Sequence, residues 1–385
     1  MLKKFTVKNF KNFKNELTLD FGNVGGYKFN QNCIYKDVIC KCLIYGRNAT
    51  GKTNFGKALS DITDIILGRY NRLREYKILN ANSEELFASF SYQFSFGNDT
   101  LEYLYKRNDK RELLSETLKV NDTMVYELDF NEGLFKSLEL SLIDADTIQT
   151  EKYIGSIQQT LEEFKDEESI RVPFLRFVLN NVPLKSESLL FKLEDYVRRI
   201  RLSSVSSALV REPSLFNMPF VEYLAERKNL IEFEKFLNAM GIRCILEVVK
   251  SADGQSELFF KHNTLIPFYE NASSGTLALT SLYRRVLNFD IKPSLFYMDE
   301  FDAFYNYEMS EKIVKFFKEN YPECQIIMTT HNTNLMTNQI MRPDCLFILS
   351  RDGMITPLCN ATERELREGH NLEKLYIGGE FEKYE

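Results

Sequence analysis

The chain has 385 residues, of which 44% are hydrophobic and 27% charged, and its formal net charge is -6. This length predicts two lobes or one core with an insertion, and the composition excludes a disordered protein. The negative charge argues against wholesale electrostatic attachment to DNA, and no apolar run approaches the roughly 20 residues of a membrane span. Seven cysteines without paired metal spacing favour free thiols in a reducing cytoplasm.

The N-terminal third is expected to form a strand-rich sheet. Apolar residues alternate with polar ones along residues 17–21, and an earlier apolar group precedes them, so that residues 2–21 predict a hairpin of two antiparallel strands. Four later segments have strand periodicity, and a Gly-Asn-Asp turn joins the first two of them. These segments are residues 86–96, 100–105, 115–118 and 125–128.

A glycine-containing loop lies between an apolar, strand-like run at residues 42–45 and a helix-like run at residues 55–67. The loop fits the pattern Gly, four residues, Gly-Lys-Thr, whose backbone N–H groups can cradle phosphates. Lys52 is expected to neutralise the outer phosphates and the hydroxyl of Thr53 to hold Mg²⁺. A surface loop without function is the alternative, which the flanking strand and helix disfavour. The predicted phosphate-binding residues are Gly46, Arg47, Asn48, Ala49, Thr50, Gly51, Lys52, Thr53 and Asn54.

The middle of the chain, residues 137–240, is expected to be a helical insertion. Apolar residues recur at helical spacing in segments that are too short for a long coiled-coil arm. The predicted helices are residues 156–168, 172–181, 189–209 and 219–240. Basic residues cluster along the third of these and after the first helix of the chain, which indicates a solvated face, acidic partners or, with less weight, nucleic-acid contact. They are Arg198, Arg199, Arg201 and Arg211, and Arg69, Arg72, Arg74 and Lys77.

The last third, residues 241–385, contains three polar motifs. One precedes a helix-like segment, and the other two follow apolar strands. Strands are expected at residues 244–249 and 258–261, followed by a turn that opens a helix at residues 277–288. The turn residues Ser273, Ser274, Gly275 and Thr276 suit a second anion contact, or equally a simple helix N-cap.

Two compact apolar strands then end in ionisable residues. The strand at residues 294–298 leads into Asp299, which can hold the magnesium shell, and Glu300, which can orient or deprotonate an attacking water. The strand at residues 325–328 leads towards His331, whose imidazole can sense a terminal phosphate. A hairpin at residues 345–357 and a short polar-aromatic tail complete the chain.

Taken together, the motifs resemble an ABC-type ATPase head of the RecF, SMC and OLD kind. The opening residues 5–13, the Ser-Ser-Gly-Thr signature and the late residues 371–379 are similar to RloA-like AAA ATPases of phage-defence and restriction-linked operons. The expected fold is therefore α/β, a P-loop NTPase head with mixed β-sheets around the P-loop helix and a helical insertion lobe. The chain is expected to divide into an N-terminal ATPase lobe (residues 1–136), a helical insertion (137–240) and a C-terminal ATPase lobe (241–385).

The resemblance implies a head-to-head homodimer that closes on two ATP molecules. Thr53 and Asp299 would organise magnesium, Glu300 would polarise water and His331 would contact the γ-phosphate. Residues 273–276 would act across the interface on the partner's nucleotide, and Asp302 would lie in the loop that couples the two sites. No glutamine is assigned to the loop that joins the lobes; Gln93 is a candidate, but it lies inside an alternating strand segment. No Toprim-type nuclease follows the last hairpin, so that a nuclease is expected on a separate protein.

The sequence thus predicts an ATP-binding and ATP-hydrolysing dimeric switch that controls a separately encoded effector, a nuclease or toxin, in a bacterial antiphage defence system. The defence role comes from the resemblance alone. One alternative is a DNA-binding clamp of repair or chromosome maintenance that uses the basic segment near Arg198. Another is a nucleotide-gated scaffold whose hydrolysis is incidental.

Overall fold

A computed structural model describes residues 1–68, 77–110, 112–163, 171–204, 220–250, 254–287 and 292–385. The strands within these ranges are β1 (Leu2–Lys8), β2 (Leu17–Asp20), β3 (Ile34–Tyr35), β4 (Val38–Ile39), β5 (Lys41–Tyr45), β6 (Ala88–Phe96), β7 (Asp99–Arg107), β8 (Leu113–Val120), β9 (Thr123–Asp129), β10 (Leu134–Leu138), β11 (Ile200–Ser204), β12 (Leu246–Lys250), β13 (Ser256–Lys261), β14 (Leu265–Pro267), β15 (Leu295–Asp299), β16 (Gln325–Thr330), β17 (Leu346–Leu349) and β18 (Ile355–Pro357).

The helices alternate with these strands mainly in the second half of the chain. They are α1 (Lys52–Leu59), α2 (Asp61–Leu67), α3 (Thr150–Glu163), α4 (Phe174–Asn181), α5 (Leu189–Arg198), α6 (Phe220–Leu224), α7 (Arg227–Ala239), α8 (Phe268–Asn271), α9 (Ser274–Leu287), α10 (Tyr307–Asn320) and α11 (Leu372–Ile377). None of the helices described is both long and apolar enough to cross a membrane.

Two large sheets organise the molecule. The first is an antiparallel sheet of seven strands in the order β10-β9-β8-β7-β6-β1-β2. It contains two of the three predicted hairpins, β1 with β2 and β6 with β7, which are confirmed, and the third is confirmed by the antiparallel pair β17 and β18. The second sheet has the order β11-β15-β16-β5-β17-β18, and its strands are parallel except for the edge strand β18. Its inner strands are buried along their whole length, which explains their continuous apolar sequences.

Helix α1 lies between the two sheets. On one side the Phe55 ring packs edge-on against Phe5 of β1, with ring centroids 5.7 Å apart, and on the other side it packs against Tyr297 of β15 at 6.1 Å. The Tyr92 hydroxyl of β6 donates a hydrogen bond of 2.8 Å to the Ala58 carbonyl. Helix α1 therefore fixes the antiparallel sheet against the parallel one. The loop before α1 is held by the two sheets.

The structure corrects several predicted boundaries. The predicted helix at residues 189–209 is wrong, because α5 ends at Arg198 and the chain continues as β11, which pairs in parallel with β15. Pairing with a buried sheet strand outweighs the local helical pattern here, and Ile200 is buried. The helix predicted from Phe55 is divided at Ser60 into α1 and α2, and the segment at residues 219–240 is divided into α6 and α7. Strands β10 and β14 were not predicted.

The basic segment near Arg198 is consequently not one helical stripe. Arg198 pairs with Glu194, and Arg199 pairs with Asp195, each one helical turn away. Arg201 lies on β11 and donates to the carbonyls of Arg198 and Ile200 at 2.8 and 3.0 Å. Arg69, Arg72, Arg74 and Arg211 lie outside the described residues. The division into three segments stays a prediction, although β11 shows that the middle segment contributes a strand to the parallel sheet.

Glycine 56 of α1 offers a test of how tightly this helix is packed. A Cβ atom on Gly56 would lie 2.4 Å from Cε1 of Tyr297, which is itself 1% exposed and hydrogen-bonded to the Lys52 carbonyl at 2.5 Å. We expect Gly56→Ala to lower the free energy of unfolding by about 1–3 kcal/mol through overpacking. Chemical denaturation measures this directly.

Gly155 of α3 is the matched control, because the same substitution there meets no atom within 4 Å. Gly155→Ala should raise the free energy of unfolding by up to about 1 kcal/mol through helix propensity. Equal effects of the two substitutions would contradict the packing of α1 against β15.

Candidate functional site

The site lies at one edge of the parallel sheet, where three neighbouring strands end. Register pairs Tyr45 of β5 with Thr330 of β16, and Met298 of β15 with Met328 of β16. The residues that follow these strands are the glycine loop, His331 and Glu300. Parallel strands have their carboxyl ends at the same sheet edge, so the topology brings together segments that are about 250 residues apart in the chain.

The glycine loop makes its turn under tight steric limits. Gly51 precedes α1 with φ 103°, a left-handed conformation that favours glycine. A Cβ atom there would also lie 2.3 Å from Nδ2 of Asn12. The Asn12 side chain donates to the Thr50 carbonyl at 2.8 Å and accepts from Asn54 at 2.8 Å. Asn12 therefore holds the loop from outside, a role that the sequence pattern did not reveal.

Lys52 is buried at the start of α1 with its ammonium group directed into the loop. Its Nζ donates to the carbonyls of Gly46 and Arg47 at 2.8 and 3.2 Å. Within the described part of the chain, no carboxylate lies in ion-pair distance of this ammonium. Burial lowers the pKa of Lys52, and the nearby carboxylates of Glu300 and Asp299 oppose that decrease. A buried cation with neutral acceptors fits the role of a phosphate ligand.

Asp299 ends β15 and is 4% exposed. Its Oδ2 accepts a hydrogen bond of 2.6 Å from the Thr53 hydroxyl, and its Oδ1 accepts one of 2.9 Å from Thr329. Among the residues that the structure describes, no lysine or arginine forms an ion pair with it. A buried carboxylate with only hydroxyl partners, one of them beside the phosphate loop, is a suitable oxygen donor for Mg²⁺. The pair Thr53 and Asp299 therefore fits the predicted metal site.

Glu300 and His331 continue the same network towards solvent. His331 Nδ1 lies 3.3 Å from Lys52 Nζ, and His331 Nε2 lies 3.4 Å from Glu300 Oε1. Because an ammonium only donates and a carboxylate only accepts, the two contacts fit a neutral imidazole with its proton on Nε2. The Glu300 side chain is 48% exposed, so that a water molecule can reach it. Its backbone has φ 49°, a strained conformation of the kind found at functional sites.

An open cleft of about 470 Å³ adjoins the loop, and the C-terminal tail forms part of its wall. Its lining residues are Tyr45, Gly46, Arg47, Asn48, His331, Thr333 and Tyr376. Arg47 forms an ion pair with Glu385, and burial together with a hydrogen bond to Glu385 raises the pKa of Tyr376 to about 12. The sequence predicted only a short polar-aromatic tail. It did not predict that Tyr376 of α11 would line this cleft.

The signature residues lie elsewhere on the surface. Ser273 accepts from the Thr276 amide at 3.2 Å, which is the N-cap arrangement, and helix α9 begins at Ser274. Ser273 and Ser274 are exposed, whereas Thr276 is buried with its hydroxyl 2.9 Å from that of Ser273. Across the described ranges, no hydrogen bond joins these residues to the glycine loop of the same chain. Gly275 lies against the Phe304 carbonyl, where a Cβ atom would be 3.1 Å away.

The candidate coupling residues differ in their placement. Asp302 accepts a hydrogen bond of 2.7 Å from the Thr330 hydroxyl, and burial raises its pKa while that bond opposes the rise. It therefore contacts the last residue of β16, directly before His331. Gln93 lies on β6 beside Tyr92, whose side chain points towards α1. Since successive side chains of a strand face opposite sides, Gln93 points away from the site and the prediction for this residue is wrong.

A parallel sheet, a glycine loop that opens a buried helix, and Lys, Thr and Asp at one sheet edge define a P-loop NTPase. The predicted α/β fold class is confirmed. Residues 43–337 match the family described as "AAA domain, putative AbiEii toxin, Type IV TA system", which is most of the chain, and the chain belongs to this family. No curated protein matches it by sequence.

Solved structures of SMC heads are similar to the chain. The SMC head domain from Thermotoga maritima is 15% identical over 92% of this chain and 98% of its own, with a TM-score of 0.45. The Smc head domain from Pyrococcus yayanosii, with a coiled coil and joint, is 13% identical over 94% and 98%, with a TM-score of 0.45. The Pyrococcus furiosus Smc head domain, bound to the C-terminal domain of ScpA, is 16% identical over 90% and 92%, with a TM-score of 0.42.

Proposed function

We propose that the chain binds and slowly hydrolyses ATP with Mg²⁺ and acts as a dimeric molecular switch. The observation that carries this proposal is the pair of adjacent contact groups Thr53–Asp299 and Lys52–His331–Glu300 at one edge of the sheet. These groups supply a buried cation for phosphate, a hydroxyl and carboxylate pair for the metal, and an exposed carboxylate beside an imidazole for water. Bound Mg²⁺ would neutralise charge on the phosphates.

Each of these site residues then has a distinct role in the reaction. Lys52 and the loop amides bind and orient the phosphates, which accounts for much of the catalysis in phosphoryl transfer. Glu300 accepts hydrogen bonds from the attacking water and can take its proton. His331 holds Glu300 through Nε2 and contacts Lys52 through Nδ1, so that it links the water-binding carboxylate to the phosphate-binding cation.

The second copy of the chain supplies the exposed serines of the signature. Ser273 and Ser274 face outward at the start of α9, where backbone N–H groups carry a partial positive charge. An anion delivered by a partner's glycine loop would find both hydroxyl and amide donors there. This arrangement needs two copies related by a two-fold axis, each giving one loop and one signature to each site.

We infer that the switch controls a separately encoded effector, a nuclease or toxin, in antiphage defence. Support comes from the resemblance to RloA-like ATPases and from the description of the family, which includes a toxin of a type IV toxin–antitoxin system. The alternative is a DNA clamp that uses the basic segment near Arg198, where Arg198 and Arg199 already form local ion pairs with Glu194 and Asp195. Co-purification with the product of a neighbouring gene would support the effector, and strong salt-dependent DNA binding would favour the clamp.

Ser274→Arg tests whether the active unit is the dimer. Residue 274 is exposed, so that the change leaves the fold intact while placing a bulky side chain where the partner's nucleotide must approach. We expect ATP turnover to fall at least about tenfold because phosphate contacts of this kind act in the transition state. Ser141→Arg, at another exposed serine, is the matched control. Wild-type turnover by Ser274→Arg at every protein concentration would contradict the composite site.

A further inference from the structure

We propose that Thr329 is a positioning residue. It orients the Asp299 carboxylate, which binds the metal, and fixes the backbone of Glu300, which binds the water. The proposal rests on the proposed ATPase function and assigns a role to the first residue of the Thr-Thr-His segment, which is Thr329, Thr330 and His331. Thr329 lies near the end of β16, between β15 and β5, and is fully buried.

The Thr329 side chain forms two hydrogen bonds to consecutive residues of the next strand end. Its Oγ1 lies 2.9 Å from Oδ1 of Asp299 and 2.7 Å from the backbone nitrogen of Glu300. A carboxylate can only accept and an amide N–H can only donate, so the hydroxyl donates to Asp299 and accepts from Glu300. One hydroxyl therefore satisfies both groups, and no aliphatic side chain can satisfy either.

The first bond completes the orientation of Asp299. Thr53 already holds Oδ2 at 2.6 Å, and Thr329 holds Oδ1, so that the plane of the carboxylate is fixed by one hydroxyl on each oxygen. When a metal binds, Thr53 and Asp299 are the residues that face it, whereas Thr329 lies behind the carboxylate. Such outer hydrogen bonds orient metal-binding groups and tune their affinity.

The second bond supports the strained backbone of Glu300. With φ 49°, this residue is held in the left-handed region that side chains other than glycine disfavour. The Thr329 hydroxyl anchors its amide, and the Thr329 carbonyl accepts from the next amide, that of Phe301, at 3.1 Å. Three consecutive residues at the end of β15 and just beyond it, Asp299, Glu300 and Phe301, are thus held by one residue of β16, which directs the Glu300 side chain towards His331.

The neighbouring threonine has a different function. Successive side chains of β16 point to opposite faces, and the Thr330 hydroxyl donates to Asp302 instead. The second threonine of the Thr-Thr-His segment therefore contacts the coupling loop, and the first contacts the metal and water residues. The two roles are separable by substitution.

The test compares Thr329→Val with Thr329→Ser. Valine keeps the shape of threonine but removes both hydrogen bonds, and serine keeps the hydroxyl. We expect Thr329→Val to lower the maximal rate of ATP turnover about 10–100-fold and to raise the Mg²⁺ concentration needed for half-maximal turnover by a similar factor. Binding of a fluorescent ATP analogue in EDTA should change less than about twofold, because Lys52 and the loop are untouched.

A second readout does not depend on turnover. Binding of Mn²⁺ to the nucleotide-loaded protein, followed by electron paramagnetic resonance, should weaken in Thr329→Val and stay near the wild-type affinity in Thr329→Ser. Thermal unfolding without nucleotide checks that both variants fold. Should valine prevent folding, Thr329→Ala is measured in its place with the same expected losses.

Wild-type metal affinity and turnover in Thr329→Val would overturn the proposal, and so would equal losses in Thr329→Ser. These results are distinguishable from failure of the ATPase function itself. In that case the wild type and Thr329→Ser would both release no phosphate, irrespective of the behaviour of Thr329→Val.

Discussion

Lys52→Ala is expected to abolish measurable ATP binding and all turnover. The ammonium is buried beside the Gly46 and Arg47 carbonyls, and its charge has no carboxylate partner within ion-pair distance among the described residues. Charge-assisted hydrogen bonds contribute roughly 1.5–3 kcal/mol each, so that the loss of even one weakens binding about 10–100-fold. Isothermal titration with ATP and Mg²⁺ measures the effect.

Lys57→Ala is the matched control for this experiment. Lys57 lies on the same helix, five residues further on, and carries the same charge. Unlike Lys52, it is exposed and does not face the glycine loop. The control should bind ATP as the wild type does. Unchanged binding by Lys52→Ala would show that the nucleotide lies elsewhere, and the assignment of the glycine loop would fail with it.

Glu300→Gln is expected to bind ATP normally, lose turnover and accumulate as a closed dimer. Glutamine has the shape of glutamate and can still accept from His331, but it cannot take a proton from water. General-base catalysis contributes about 10²–10⁴-fold, which sets the expected loss of rate. In the proposed switch a closed dimer opens only after hydrolysis, so the variant should shift from monomer mass to dimer mass when ATP is added, as measured by light scattering.

Glu308→Gln controls for the loss of charge alone. Glu308 is exposed in the first turn of α10, a few residues after the site. It should retain both turnover and the monomer mass that the wild type shows after ATP is consumed. A Glu300→Gln protein that stays monomeric with bound ATP would contradict the proposed link between the nucleotide and dimer closure.

The parts of the site that were predictable are those with a local signal. The glycine loop, Asp299 with Glu300, and His331 each follow a compact apolar strand, and a strand end in a parallel sheet is readable from the sequence. Asn12, Thr329 and Tyr376 contact the site from segments that are far apart in the chain, so that the local patterns around them do not reveal these contacts. Their roles follow only from the order of the strands.

The incorrect predictions have equally specific causes. The helical spacing of residues 189–209 continues past the true end of α5, and only the pairing of β11 with β15 turns the last residues into a strand. The alternation of apolar and polar residues along β6 already counted against Gln93, and the contact of Tyr92 with α1 shows that Gln93 faces away from that helix. The alternation was present in the sequence.

The most direct test of the central claim is the rate of phosphate release by the wild type and by Glu300→Gln, with Mg²⁺ and at equal ATP occupancy. The account predicts steady, slow release by the wild type that stops when EDTA is added. It also predicts a rate at least about 100-fold lower in the variant. Equal rates in the two proteins would contradict the assignment of Glu300, and the nucleotide-gated scaffold would then take the place of the ATPase.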